Sequence, residues 1–523
     1  MDYSFFIWST ATFIEARVRE PIEYTDLEKS VGFSYRHIRE TFRETTGITL
    51  SRYILLRRLS NAAFDIVHTQ KSLTDIAADY MFESYDAFTR AFKRHMDIPP
   101  SQLRRNSCKL RVGRKRILIG MYGHMLLKQD GTATTGEALA GLAGKQPNIT
   151  EVDRSMNSME KTKDSCILYG VPKVAYSFEE CTPFCAAMKA CLNYMGQQVD
   201  YAYIMAITGA AFRLRWNIAY WDGGNVDIMN IYEDQYEAFR RAFAAAGRSY
   251  RLLKREDSSK DGFISFLKAE LDEGRPVIAF GIIGPPEACL LTGYRDHGNV
   301  LLGWNCFQEN QEFAKNVTQE ESGYFATDGW WENECTVALI SVGERREPLA
   351  SHKEILENAI HILMKEKICY YDQEKKLVAE YAGGPLAYDM WASRVGDDSE
   401  FPKGAILPIL YERLVCQNDA EVMLGEGRYY AAAYLEQIAK DMASGGQASE
   451  LEKECRLAAR YFRGAAELGP RMSQIIGGFI QNEENTRNFA RPEVRRELVG
   501  LILKAKEQEA KACQVLQELV QKL

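Results

Sequence analysis

No apolar run in the chain approaches the roughly 18–20 residues that a membrane-crossing helix needs. Cysteine is present, 12 in 523 residues, but no two cysteines form a Cys-x-x-Cys pair and none joins histidine at zinc-site spacing. No metal or cofactor is therefore expected. The start, Met1-Asp2-Tyr3, lacks a basic segment, and the stretch from Trp8 to Ile14 is broken by Ser9, Thr10 and Ala11, so no secretory leader is expected either. These absences point to free thiols in a reducing cytoplasm.

The length suggests three or four units, at about 150 residues per domain. A hydrophobic share of 46% and a charged share of 26% are ordinary for a globular chain. The net charge of −7 is unevenly spread: residues 1–118 carry 20 Lys and Arg against 14 Asp and Glu, and the excess of acid lies in the remainder. A basic head on an acidic body suits a nucleic-acid-binding unit joined to a different kind of domain.

Apolar residues at helical spacing from Phe6 to Val18 predict a first helix that stops before Pro21. Next, Thr25 can cap a short helix, Gly32 supplies a left-handed turn, and Ser34 caps a helix from Tyr35 to Glu44. That helix buries Ile38 and Phe42 and turns Arg36, His37, Arg39 and Arg43 outward. A longer amphipathic helix, Leu50 to about His68, presents Leu55, Leu59, Ala62, Ala63 and Ile66 on one face. The short-helix, turn, helix pattern then repeats from Ser72 through Ser84 into Tyr85–Met96, with Phe88 and Phe92 inward and Thr89, Arg90 and Lys93 outward. Two short helices joined by a tight turn are the sequence form of a helix-turn-helix.

The run from Phe82 to Arg94 followed by Pro99-Pro100-Ser101 resembles the signature of AraC-type transcription regulators, and the resemblance spans both helix-turn-helix units and the helix between them. One position departs: Met81 stands at the second turn where the family usually has Gly. The resemblance implies two recognition helices entering successive major grooves of double-stranded promoter DNA, about 34 Å apart. It puts Ser34, Tyr35, Arg36, His37, Arg39 and Glu40 of the first helix, and Tyr85, Asp86, Thr89, Arg90 and Lys93 of the second, toward bases or phosphates. Any single one of them is also compatible with a solvated helix face. RNA polymerase and a second copy of the chain are further candidate partners.

Residues 111–165 read as a basic extension, with Arg111, Arg114, Lys115 and Arg116, running into a linker with one short helix near Glu137–Leu142. From Cys166 the texture changes. Cys181 to Gly196 reads as a loop feeding an amphipathic helix, and a Cys at a helix start is chemically suggestive because the dipole favours thiolate. Apolar runs at Pro276–Gly284, Ala288–Tyr294 and Asn299–Asn305 predict three strands, with a turn at Asp296-His297-Gly298.

This order of Cys-helix and strands, over about 166–345, resembles papain-like cysteine peptidases and the N-terminal domain of the butirosin-biosynthesis acyltransferase. Carried across, Cys181 falls at the nucleophile and Asn305 at or beside the position that orients the base. The base itself, a His in those families, falls at Glu287 or Ala288. No Gln lies between Lys163 and Gly196 to complete an oxyanion hole, and losing that donor costs roughly 3 kcal/mol. The resemblance thus implies a papain-like domain with no catalytic residues left. An active Cys181-dependent acyltransferase or hydrolase is the alternative.

Aromatics concentrate in the same body: Trp216, Tyr220, Trp221 and Trp304 are the candidate lining of a pocket for an apolar or aromatic effector, with Cys181, Glu287 and Asn305. They are equally compatible with plain core. Residues 346–523 read as helical, and a near-heptad seam from Leu498 to Leu523 is broken by Glu509. The fold class expected is an all-α double helix-turn-helix head (1–110), an α+β papain-like middle domain (166–345) and an α-helical C-terminal domain (346–523) that completes the ligand pocket.

Overall fold

The computed structural model describes residue 10, residues 13–14, 17–46, 49–68, 71–96 and 99–105, and residues 158–523 apart from 178, 220, 223–227, 310–312, 315–316, 334, 349, 372–376, 402–406, 445–449 and 480–481. Most of the expected first helix, the basic extension beyond Arg105, the linker up to residue 157 with its short helix, and Tyr220 lie outside the described residues; the last stretch expected as linker holds a strand, Ser158–Lys161.

In the N-terminal region the helices from Tyr24 to Met96 fall where the spacing predicts them, and a further short helix, Pro100–Arg105, follows that the spacing does not predict. They are α1 (Tyr24–Val31), α2 (Tyr35–Thr46), α3 (Leu50–His68), α4 (Leu73–Asp79), α5 (Tyr85–Met96) and α6 (Pro100–Arg105). The cap of α1 differs from expectation: Glu23, not Thr25, is the residue before the helix. The apolar residues make two separate cores. One gathers Leu27, Ile38, Phe42 and Tyr53; the other gathers Leu59, Ala62, Ile66, Ile76, Phe88 and Phe92. Helix α3 contributes to both, its first half to one and its second half to the other, so a single rigid element carries two helix-turn-helix units. Asp65 of α3, buried, accepts from Tyr80 Oη at 2.8 Å and Arg19 Nη2 at 2.5 Å, tying the incoming chain to the second unit.

The rest of the described chain has a sheet-rich middle and a helical C-terminal region. The middle comprises β1 (Ser158–Lys161), β2 (Cys166–Tyr169), α7 (Pro183–Tyr194), α8 (Tyr201–Thr208), β3 (Arg215–Asn217), α9 (Glu237–Ala245), β4 (Arg248–Lys254), α10 (Lys260–Leu271), β5 (Val277–Phe280), β6 (Ala288–Arg295), β7 (Val300–Trp304), β8 (Val317–Gln319), β9 (Phe325–Thr327) and β10 (Ala338–Arg345). The main sheet is antiparallel, in the order β4-β10-β5-β6-β7-β9-β8, with β2 also paired to β6. Strands β5 and β6 are buried almost throughout, which is why they read as continuous apolar runs rather than as an alternating pattern. Helix α7 packs across these two strands.

After the sheet come α11 (His352–Met364), β11 (Lys367–Tyr371), β12 (Leu377–Gly383), α12 (Gly384–Gly396), α13 (Leu407–Ser444), α14 (Glu450–Ala466), α15 (Leu468–Ile476), α16 (Glu483–Phe489) and α17 (Pro492–Lys522). The expected boundary near 345 does not divide the core. Leu435 of α13, Phe462 of α14 and Leu516 of α17 share one cluster with β5 and β6, and β3 of the middle region pairs with β12. The residue that breaks the heptad seam, Glu509, is buried; it forms an ion pair with Arg428 and accepts from Tyr388 Oη at 2.8 Å. The α17 seam is thus used inside the chain, where Leu498, Ile502, Ala505, Ala512, Leu516 and Leu519 are buried.

Candidate nucleic-acid interface and candidate ligand cleft

In the first unit Gly32 ends α1 with a φ of 78°, and its N–H closes on the Glu28 carbonyl. The chain then turns into α2, where the His37 N–H donates to Ser34 Oγ at 3.4 Å. Ser34 therefore caps the helix. Ile38, Thr41 and Phe42 are buried, leaving Arg36, His37, Arg39, Glu40 and Arg43 exposed along the other face. Arg36 and Glu40 pair one turn apart at 3.1 Å, a contact worth only about 0.3–0.5 kcal/mol. Tyr35 is half-buried and stacks on Tyr24 with ring centroids 4.0 Å apart; burial and the Tyr24 hydroxyl push its phenol up to about 12.

The second unit repeats the geometry. Met81 occupies the turn with a φ of 61°, and the Ala87 N–H donates to Ser84 Oγ at 3.1 Å at the start of α5. Asp86, Arg90, Lys93 and Arg94 are exposed, opposite the buried Phe88 and Phe92. Two residues expected to face outward do so only in part. Tyr85 packs beside Phe88, and the Thr89 hydroxyl is buried with no hydrogen-bond partner. A β-branched side chain one residue past the inward Phe88 sits at the margin of the apolar face, not at its centre.

In the body, Cys181 lies just before α7. Its thiol donates to the Ser177 carbonyl at 3.0 Å. The helix start is already filled from the far side of the fold: Glu426 of α13 accepts from the Cys181 N–H at 2.6 Å, the Thr182 N–H at 3.2 Å, Thr182 Oγ1 at 2.8 Å and Tyr201 Oη at 2.7 Å. Burial, then Glu426, Glu179 and Cys306, push the Cys181 thiol far above its ordinary value. No imidazole is among the groups acting on it. Glu287 immediately precedes β6, on the side of Tyr176, Cys306 and Asp419. His297 lies past the opposite end of that strand, exposed, about 25 Å along the chain direction.

The remaining expected pocket residues fall elsewhere or are already occupied. Asn305 is buried, its Nδ2 donating to the Gly281 carbonyl at 2.9 Å and its Oδ1 accepting from the Phe307 N–H at 2.8 Å. Its amide shapes two turns. Trp304 Nε1 donates to the Val171 carbonyl at 3.0 Å within the main core. Trp216 and Trp221 belong to a second core: Trp216 stacks on Trp391 and meets Trp221 edge-on, and Trp221 Nε1 donates to buried Glu400 at 3.0 Å. The structure leaves these three tryptophans in packed cores.

Sequence reasoning missed Glu426, the group that α13 sends to the start of α7. A signal existed. The buried side of α13 carries Glu412, Arg413, Gln417, Asn418, Glu421 and Arg428, a density of polar groups unusual for a core helix. Among the described residues no cluster of His, Cys, Asp and Glu is arranged to hold a metal, and no helix is long and apolar enough to cross a membrane.

Two recognition helices, each capped by Ser and each carrying exposed Arg, joined through one shared helix, define the N-terminal region as a double helix-turn-helix DNA-binding unit. Residues 27–106 match a family model described as a helix-turn-helix domain. The chain is similar to the uncharacterized HTH-type transcriptional regulator YbfP of Bacillus subtilis, 38% identical over 104 residues, which is 20% of this chain and 35% of that protein. It is also similar to the multiple antibiotic resistance protein MarA of Salmonella typhimurium, 30% identical over 19% of this chain and 77% of MarA. Among solved structures it matches an AraC-type transcriptional regulator from Chromobacterium violaceum, 27% identical over 20% of this chain and 91% of that one, with a TM-score of 0.19. The chain belongs to the AraC-type helix-turn-helix family of transcriptional regulators through its N-terminal region. The matched segment spans about a third of YbfP, and the similarity to these relatives stops short of the body.

Proposed function

We propose that the protein is a one-component transcription regulator of the cytoplasm. Its head grips promoter DNA, and its body is a catalytically inactive papain-like domain that senses a small molecule. The observation that carries the DNA half is the pair of Arg-bearing helix faces, Arg36/Arg39 and Arg90/Lys93, mounted on one α3. Exposed Arg on a capped helix is the usual reader of guanine edges and phosphates.

Three features support an inactive body. The thiol of Cys181 is held protonated by burial and a carboxylate neighbour, whereas a nucleophile must be thiolate. Glu426 occupies the backbone donors at the α7 start, where an acyl-transfer intermediate would need its oxyanion held. The resemblance puts Glu287 or Ala288, not His, at the position of the base. Ligand binding to the body would then act by population shift, favouring one arrangement of the body and altering how the two units sit on DNA.

The test is a promoter reporter comparing wild type, Cys181→Ala and Cys181→Ser, with the mass of each purified protein. The sensor reading expects unchanged response in both variants and no acyl adduct on wild type. Loss of response in both, with an acyl mass on wild type alone, would establish the acyltransferase or hydrolase alternative.

A further inference from the structure

The two recognition helices carry charge at the same spacing in opposite order. Arg36 and Asp86 occupy equivalent places: each follows a capping Ser and a half-buried Tyr, and each precedes an inward pair, Ile38/Phe42 or Phe88/Phe92. Both are exposed, and so are Glu40 and Arg90 one turn further on. In α2 the cation leads and the carboxylate follows. In α5 the carboxylate leads and the cation follows.

The first pair closes on itself, Arg36 Nε meeting Glu40 Oε1 at 3.1 Å. The second stays open. Asp86 and Arg90 make no hydrogen bond or ion pair with any described residue, although acid before base at this spacing is the order that favours a helix pair. A carboxylate left exposed on the face that meets a polyanion costs affinity unless a donor waits for it. The major groove offers two such donors, cytosine N4 and adenine N6. Beside the adenine amino group lies N7, an acceptor that repels a carboxylate, and guanine and thymine present acceptors at the matching edge. An acid in the first turn also suits the helix dipole, but that role calls for no particular base.

We propose that Asp86 reads cytosine, accepting from its N4 amino group in the major groove of the second half-site, with Arg90 taking a guanine beside it. One helical turn, about 6 Å, places that guanine within about two base pairs of the cytosine at about 3.4 Å per step. In the first unit Arg36 is held by its own Glu40, and Arg39 is the guanine reader. The two half-sites are therefore not equivalent, and the protein sits on its operator in one orientation. The proposal rests on the DNA-reading half of the proposed function and names the bases that the second unit requires.

The test selects operators from a random duplex pool with the full-length protein, as wild type, Asp86→Asn and Asp86→Arg. Wild type should select cytosine at one position of one half-site. Asp86→Asn should exchange it for adenine, which a side-chain amide matches through N6 and N7, and Asp86→Arg should exchange it for guanine. A second measurement changes the DNA instead. Replacing the selected cytosine by 2-pyrimidinone, which lacks the amino group, should weaken wild-type binding about tenfold and leave Asp86→Ala indifferent to the replacement. A cytosine still selected by both variants, no cytosine preference in wild type, or equal wild-type binding to the two bases would overturn the assignment and leave DNA reading by the head standing. Failure to select any two-part operator would overturn both.

Discussion

The head and the body each carry a residue that departs from the pattern around it, and the two departures have different consequences. In the head, Met81 stands at a turn whose counterpart in the first unit is Gly32; both have positive φ, 61° and 78°. The turn needs a backbone conformation, and the following helix, capped by Ser84, still begins where it should. In the body, the proposed papain-like reading puts Glu287 or Ala288 where the resemblance calls for an imidazole. There too the backbone is kept, with β6 beginning at Ala288, but under the proposed reading the missing requirement is a proton acceptor of suitable pKa. A fold can absorb a residue that costs conformational energy. A reaction cannot proceed without its base.

The same contrast ranks the effects of substitution. The body relies on fully buried charge: Arg428 pairs with Glu509 and donates to the Arg213 carbonyl at 2.6 Å. Arg428→Ala should destabilise the body by about 3–5 kcal/mol, because it leaves a buried carboxylate unpaired. Denaturant melts check this, and operator binding by the head should survive wherever the protein remains folded. In the head the ionic ties are half-exposed, Arg19 on Asp65 being the main one, with 43% of the Arg19 side chain uncovered, so charge removal there should affect DNA contact more than folding. Arg39→Ala or Arg90→Ala should each weaken specific binding by about 1–3 kcal/mol with unchanged melting. A loss of stability instead would make those side chains structural.

A pH titration sharpens the contrast further. Burial pushes the Glu421 carboxyl up to about 8, although Gln417 donates to it. A carboxyl raised above its unfolded value of 4.5 binds more protons in the native state, so its contribution to stability falls as pH rises from 4.5 to 8 and then levels off. Glu421→Gln should remove a decline of up to about 1.4 kcal/mol per pH unit in that window. The smallest effect belongs to the turn. Met81→Gly should stabilise the second unit by up to about 1 kcal/mol, and Gly32→Ala should cost the first unit a similar amount, both read from melting of the head.

How much was legible in the sequence follows from the range of the interactions. Helices α2 and α5 were readable because their signals are local: Ser34 and Ser84 as caps, Ile38/Phe42 and Phe88/Phe92 as inward pairs. Met81 at positive φ was readable from the repeat of the turn. Strands β5, β6 and β7 were readable as apolar runs. Glu426 was not, because it meets Cys181 across 245 residues of chain, and no local pattern encodes that meeting. The tryptophans illustrate a second limit. Composition located Trp216 and Trp221 but could not tell whether they meet a ligand or one another; Trp221 meets Trp216 edge-on and Trp216 stacks on Trp391. Likewise Glu509, read as a fault in a heptad seam, is the buried partner of Arg428.

The central claim is that two helix faces, α2 and α5, read DNA from one rigid support. Hydroxyl-radical footprinting of the full-length protein on a selected operator tests it most directly. Two protected stretches should appear on one face of the duplex, about one helical turn or 34 Å apart, with Arg39→Ala erasing one and Arg90→Ala erasing the other. A single protected stretch that both substitutions weaken equally would contradict it.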